Sequence, residues 1–221
     1  MMMDHRFGAA ATSVALLALL TFGCSNPADD KPEAAVADPE PVPERSDEAA
    51  VFTVDPERSS IHFVGSKITG SHDGGFHQFE GVIELVDGDP TASSVTVEID
   101  TTSLWADDTR LTEHLKSPDF FGVETYPQAV FESTSIEQTA DGYTVTGNLD
   151  LHGVTKSVSF PAQIEVGPDS VTARAEFFIK RFDFDIVYPG KPDDLIRDEV
   201  VIRFDLTAVP PGDDAGMAGD A

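Results

Sequence analysis

Apolar and polar residues alternate one for one along much of this chain. In Val95-Thr96-Val97-Glu98-Ile99-Asp100 every odd position is apolar. The same holds for Tyr143-Thr144-Val145-Thr146-Gly147-Asn148-Leu149-Asp150-Leu151 and over 171–179, where Val171, Ala173, Ala175, Phe177 and Ile179 share a face. Over 200–208 the even positions carry the pattern, in Val200, Ile202, Phe204, Leu206 and Ala208. Successive side chains of a strand point to opposite faces, so this alternation predicts antiparallel strands with one dry and one wet face. Turn signals separate the runs, at Asp87-Gly88-Asp89-Pro90, Asp141-Gly142 and Gly167-Pro168-Asp169. Further strands are predicted near 51–55, 59–68, 76–87, 127–138 and 154–166. One short helix is predicted near 107–116, capped by Asp107 or Asp108, with Glu113 in or near its first turns and Pro118 as its stop. The total is about eight or more antiparallel strands and one helical crossover. Such a pattern fits a β-sandwich as well as a closed barrel. A barrel of about eight strands either fills its interior with side chains or holds one small ligand.

The ends of the chain follow other patterns. An apolar run, Gly8 to Phe22, follows Arg6. It is shorter than the roughly 20 residues a membrane-spanning helix needs, and it contains Thr12 and Ser13. Residues 1–23 therefore read as a signal peptide. The run stops at Gly23-Cys24, and Cys24 is the only cysteine, which excludes an internal disulfide. Gly23 before Cys24 resembles a bacterial lipobox, although Thr21 stands where leucine is usual and Leu20 is one place off. Cys24 is thus expected to be the acylated mature N-terminus, palmitate being one such acyl group. By the same resemblance, Ser25 behind it favours the periplasmic face of the outer membrane. The alternative is a soluble periplasmic or secreted protein, cut nearby and left with a free thiol. Residues 24–50 carry Pro32, Pro39, Pro41 and Pro43 among Ala, Asp and Glu. That composition predicts a disordered acidic tether. Residues 210–221 read as a disordered tail, which leaves one domain over 51–209.

Charge narrows the partners. The formal net charge is −26, and 51–209 alone carry 28 acidic against 11 basic residues, a net −17. So negative a surface repels phosphate backbones, which argues against nucleic acid. It also keeps the domain off an anionic bilayer unless an acyl anchor at Cys24 holds it there; one acyl chain holds weakly and several hold firmly. The chain has 15 Phe but one Trp and three Tyr. Phenylalanine at inward positions offers contact area without hydrogen-bonding obligations.

Two motifs are more specific. They are Leu111-Thr112-Glu113-His114-Leu115-Lys116-Ser117-Pro118-Asp119-Phe120-Phe121, followed by Tyr126-Pro127-Gln128-Ala129-Val130-Phe131, and Leu151-His152-Gly153-Val154-Thr155-Lys156. With Phe52-Thr53-Val54-Asp55, Ser59-Ser60-Ile61-His62-Phe63, Phe79-Glu80-Gly81 and Lys180-Arg181-Phe182-Asp183-Phe184 they occur in order along 52–209. In this the chain resembles the YceI-like family of periplasmic, lipocalin-like polyisoprenoid-binding proteins. The resemblance implies an all-β, antiparallel closed barrel around a lumen for an isoprenoid lipid, either an isoprenoid quinone or a polyprenyl phosphate. Carried onto this chain, the expected lining residues are Phe63, Val97, Ile99, Phe121, Phe131, Leu149, Leu151, Phe177, Ile179 and Phe204. His114, His152 and Arg181 are the expected head-group contacts. The stretches 70–75 and 188–194 are the variable loops expected to shape the entrance.

Other chemistry finds little support in the sequence. His72, Asp73 and His77 lack the spacing of a metal site, and no His-Glu-x-x-His occurs. No nucleophile-elbow, Walker or dinucleotide motif is present. Pairs such as Glu113 with His114 or Asp183 with Asp185 are expected by chance among 40 acidic residues. Arg181 reads equally as a barrel-closing contact, and Trp105 as a plug at one end of the core. The reading is a non-enzymatic carrier or sequestering protein that needs no cofactor and no metal. A structural or interaction module with a filled core, an enzyme acting on an envelope lipid, and a homodimer stay open as alternatives.

Overall fold

The computed structural model describes residues 26–44 and 48–212. Thirteen strands are present among them: β1 (Ala35–Ala37), β2 (Ala50–Val54), β3 (Ser60–Lys67), β4 (Gly70–Phe76), β5 (Phe79–Val86), β6 (Asp89–Asp100), β7 (Leu104–Ala106), β8 (Gln128–Thr139), β9 (Gly142–Leu151), β10 (Val154–Val166), β11 (Val171–Lys180), β12 (Gly190–Lys191) and β13 (Asp194–Val209). One α-helix, α1, spans Thr109–Lys116. Eight strands form a closed antiparallel ring in the order β10-β9-β8-β6-β5-β2-β13-β11 and back to β10. This is a lipocalin-like barrel. Closure follows from the alternation: inward Phe177 and Ala175 of β11 pair with inward Ile202 and Phe204 of β13, so the dry faces coincide.

The last strand is long enough to serve two neighbours along one edge. β13 pairs with β2 at Ala208–Val54 and Val209–Thr53, and with β3 from Ile196–Lys67 to Asp205–Ser60. A bulge between Ile196 and Val200 bends β13 there. β3 continues into β4 and β4 into β7, forming a wing that extends the barrel on one side. Helix α1 lies under this wing. Its cap is Asp108, whose side chain accepts from the Leu111 N–H at 2.9 Å. Leu115 of α1 joins Phe63, Leu104, Phe120 and Ile186 in the core at that end.

Three local expectations need correction. Residues 70–75 are not a loop but most of strand β4. Glycine reads as a turn signal, yet here Gly74 and Gly75 sit in a strand because neighbours press on them. A Cβ on Gly74 would collide with the Phe63 ring, and one on Gly75 would lie 2.7 Å from the Ile61 carbonyl oxygen. The strand expected over 76–87 therefore breaks at His77-Gln78, whose N–H groups turn to Ser103 instead. Trp105 does not plug the core. It is half-buried between His62 and His77, with ring centroids at 5.5 and 5.8 Å, and Leu104 beside it takes the interior place.

The segment read as a disordered tether is ordered over 26–44. β1 pairs with β10 through Ala35–Ser159, Val36–Val158 and Ala37–Ser157. Ala34 is buried in the core cluster with Val158, Phe177 and Ile179. Composition misled here because backbone hydrogen bonds to open strand edges recruit the segment, not apolar side chains. The expectations for 1–23, Cys24, Ser25 and 213–221 fall outside the described residues.

Two outcomes follow for stability. Gly147 also lies under an aromatic ring, Phe131, and 2.5 Å separates its would-be Cβ from the Glu132 carbonyl oxygen. Gly74→Ala and Gly147→Ala are each expected to cost about 1–3 kcal/mol in urea unfolding, as overpacking does. Gly65→Ala, with nothing within 4 Å of its Cβ position, should stay near wild type. A chain beginning at Val51 should be less stable than one beginning at Asn26 by on the order of 2 kcal/mol, since it forfeits β1 and its hydrogen bonds. Equal urea midpoints for the two chains would show that β1 contributes nothing.

Candidate ligand-binding lumen

The barrel encloses a cavity of about 440 Å³. All ten residues expected to line a lumen line it: Phe63, Val97, Ile99, Phe121, Phe131, Leu149, Leu151, Phe177, Ile179 and Phe204. They reach it from six strands of the sheet and from the turn after α1. Deep in the barrel the wall is aromatic. Phe160 stacks on Phe177 with centroids 4.2 Å apart and planes 7° apart, and Phe131 and Phe204 flank Phe160 at 5.7 and 5.8 Å. A second aromatic group, Phe63, Phe76 and Phe121, stands under the wing with centroids 5.9–6.1 Å apart.

Phe160 was legible in the sequence but not singled out. Val158, Phe160, Ala162 and Ile164 alternate along β10 and all face the cavity. Tyr188 and Ile196 carried no such signal. Their positions depend on the β13 bulge and on the hairpin that β12 makes with Asp194 and Leu195.

Polar lining residues concentrate at one end. Lys67, His72, Tyr188, Lys191 and Asp194 come from the β3–β4 and β12–β13 hairpins, and His114 comes from α1. The Asp194 carboxylate receives Lys67 Nζ at 2.7 Å and the Thr69 N–H and hydroxyl at 3.1 and 2.9 Å. The Lys67 ammonium, helped by Thr69, holds this carboxyl below the ordinary carboxylate range. The wet end is thus a fixed ion pair, with Lys191 directly opposite Asp194 in the β12–β13 register.

The three expected head-group contacts separate. His114 lines the cavity, its Nε2 2.9 Å from the Asp119 carboxylate and its ring edge-on to Phe120 and Tyr188 at 5.0 Å each. Arg181 also lines it but is buried and committed to main chain. Its guanidinium donates to the carbonyls of Arg197 at 2.9 Å, Ile186 at 2.5 Å and Ile196 at 3.3 Å. Burial pushes its pKa down, partly offset by Asp198. Arg181 therefore ties the 181–186 turn to β13. His152 does not reach the cavity wall. It adopts a left-handed conformation (φ 57°), its Nδ1 lies 3.1 Å from the Phe184 carbonyl oxygen, and its ring packs on Tyr126 at 4.7 Å. A left-handed turn before Gly153 and the buried Phe184 fixed that place, which no local pattern displayed. Asp183 and Asp185 do not share a strand face, because 181–184 form a 3₁₀ turn closed by left-handed Asp185. No cluster of three or more metal-capable side chains occurs among the described residues.

Comparison with known proteins agrees with this architecture. BcnA of Burkholderia cenocepacia superposes with a TM-score of 0.64 at 29% identity, over 71% of this chain and 99% of that one. A polyisoprenoid binding domain from Saccharophagus degradans superposes at 0.59 over 74% of this chain and 99% of its own, at 19% identity, which shows a shared fold. A UPF0312 protein of Yersinia enterocolitica is 40% identical over 91 residues, which are 41% of this chain and 47% of that protein. A UPF0312 protein of Yersinia pestis matches to the same extent. The chain spans about half the length of these curated relatives. The YceI-like domain matches residues 52–208, from the first barrel strand almost to the end of the last, and the chain belongs to the YceI-like family.

Proposed function

We propose that this protein binds an isoprenoid lipid in the barrel lumen and carries or sequesters it in the cell envelope. The observation that carries the reading is the division of the cavity wall, aromatic and aliphatic in depth and charged only toward the β3–β4 and β12–β13 hairpins. An isoprenoid tail has that division. Its apolar surface, on the order of several hundred Å², would gain roughly 25 cal/mol per Å² on burial, so no strong polar contact is needed for affinity. The relationship to a fold that includes a polyisoprenoid binding domain supports the same ligand class. A filled, purely structural core fits less well, because about 440 Å³ is left open between the side chains. The polar lining groups are held by structural partners, Arg181 by carbonyls and Asp194 by Lys67, which favours binding over catalysis.

Between the two ligand classes we favour a neutral head, such as an isoprenoid quinone, over a polyprenyl phosphate. Asp194 and Lys67 neutralise each other at the wet end, Lys191 is the one further charged side chain of that rim, and the domain as a whole is acidic. His114 and Tyr188 offer hydrogen-bonding groups there without adding negative charge. We further propose an acyl anchor at Cys24 on the periplasmic face of the outer membrane, on the lipobox-like ending of the apolar run.

Organic extraction of protein purified from its host, followed by mass spectrometry, tests the ligand class. An isoprenoid quinone is expected; repeated extraction of protein with no lipid would overturn the reading. Leu149→Trp should obstruct the lumen and lower quinone binding at least about tenfold, while costing about 1–3 kcal/mol of stability. Leu149→Asp should cost more, since an unpaired buried charge is expensive. Asp150→Ala, on the outward face, should leave binding unchanged. Wild-type affinity in folded Leu149→Trp would show that the lipid does not pass this position. For the anchor, Cys24→Ser should move the protein from the membrane to the soluble fraction or block processing. A wild-type mature protein whose mass shows no acyl groups would refute it.

A further inference from the structure

The eight-stranded ring is not sealed along its whole length. β10 and β11 pair only at their hairpin end, from Val166–Val171 to Gln163–Arg174. Beyond that point β10 stays with β9 and β11 stays with β13, and the two strands part. The opening is occupied by residues 32–37. On one side β1 pairs with Ser157, Val158 and Ser159 of β10. On the other, the Ala34 N–H donates to the Phe178 carbonyl at 2.9 Å, and the Phe178 N–H donates to the Pro32 carbonyl at 2.9 Å. One inserted strand implies lips roughly 9–10 Å apart, twice the spacing of paired strands.

Both lips belong to the lumen. Val158 and Phe160 of β10 and Phe177 and Ile179 of β11 line the cavity, and Ala34 is packed against this same group. The inserted strand is lightly held. Its side chains are Pro32, Glu33, Ala34, Ala35, Val36 and Ala37, with no large apolar anchor among them. Its clasps are ion pairs on the outer surface: Lys31–Glu176 at 2.7 Å, Lys180–Glu33 at 2.6 Å and Lys156–Asp38 at 3.4 Å. Such partly exposed pairs contribute little each and are screened by salt. The two lips themselves are held on their other sides by longer ladders, β11 on β13 by ten residue pairs and β10 on β9 by nine.

We propose that the β10–β11 seam is a lateral opening of the lumen, that residues 32–37 are its removable closing strand, and that an apolar chain enters and leaves through it. This rests on the lipid-binding reading. An isoprenoid chain using the hairpin end must pass Lys67, Asp194 and Lys191, whereas the inner side of the seam is apolar, in Val158, Phe160, Phe177 and Ile179, and its charged groups stand on the outer surface. The closing strand lies shortly after Cys24 in the sequence, so an acyl anchor there would hold the seam near the bilayer.

The test is the rate at which the full mature chain takes up a long-tailed isoprenoid quinone from phosphatidylcholine vesicles, with the final load measured separately. In a Cys24→Ser background, Ala35→Cys with Ser159→Cys permits a disulfide across the β1–β10 pair. The oxidised form should load at least about tenfold more slowly than the reduced form and reach the same final load, since a lock alters the path and not the site. Lys31→Glu with Lys180→Glu, which reverses two clasps, should speed exchange by roughly three- to tenfold, as should raised salt with the wild-type chain. Equal rates for locked and reduced protein, or no effect of the clasp reversal, would overturn the seam while leaving lipid binding intact. No uptake by any form, wild type included, would overturn the lipid-binding reading and the seam with it.

Discussion

Every backbone N–H and C=O in a sheet must find a partner, and a barrel meets that demand by having no edge. The architecture of this protein follows from how nearly it does so. Eight strands close on themselves, yet two of them separate along more than half their length, and the chain's own N-terminal segment supplies the missing partner. Across the parting Phe160 and Phe177 still stack, centroids 4.2 Å apart, with Phe131 and Phe204 beside them on the lumen wall.

Width is also set by where side chains are missing. Gly147 makes room for Phe131 to lie flat against the wall, and Gly74 does the same for Phe63. Large rings that lean over glycine leave the axis of the barrel open. The result is a cavity whose wall offers apolar area and few directed contacts.

Charge is partitioned just as sharply. Of the acidic residues Asp194 alone is among the cavity-lining residues described, while several of the few basic residues serve as ties. Lys67 fixes Asp194 at the hairpin end, Lys31 and Lys180 hold the closing strand, and Arg181 is buried among carbonyls where it joins the 181–186 turn to β13. An apolar lumen needs this economy, because an uncompensated charge facing it would be costly.

The sequence by itself determined the strands and the residues that share the dry face of each, because a period of two assigns every side chain to one of two faces; the closed lumen and the ten residues expected to line it followed from the resemblance to the YceI-like family. It also determined one helix near 107–116, with Asp107 or Asp108 as cap and Pro118 as stop; the structure begins it at Thr109 and makes Asp108 the cap. Tertiary structure decided what depends on partners distant in sequence. Gly70 to Phe76 became a strand because Phe63 and Trp105 needed bare backbone beside them. His152 was drawn to the Phe184 carbonyl and away from the lumen, and Arg181 was consumed by main-chain oxygens. The acidic, proline-rich stretch before Val51 looked unable to fold because it has almost nothing to bury. Residues 32–37 of it are ordered because β10 and β11 offer unpaired backbone, and backbone pairing leaves no signature in the side chains that a sequence displays.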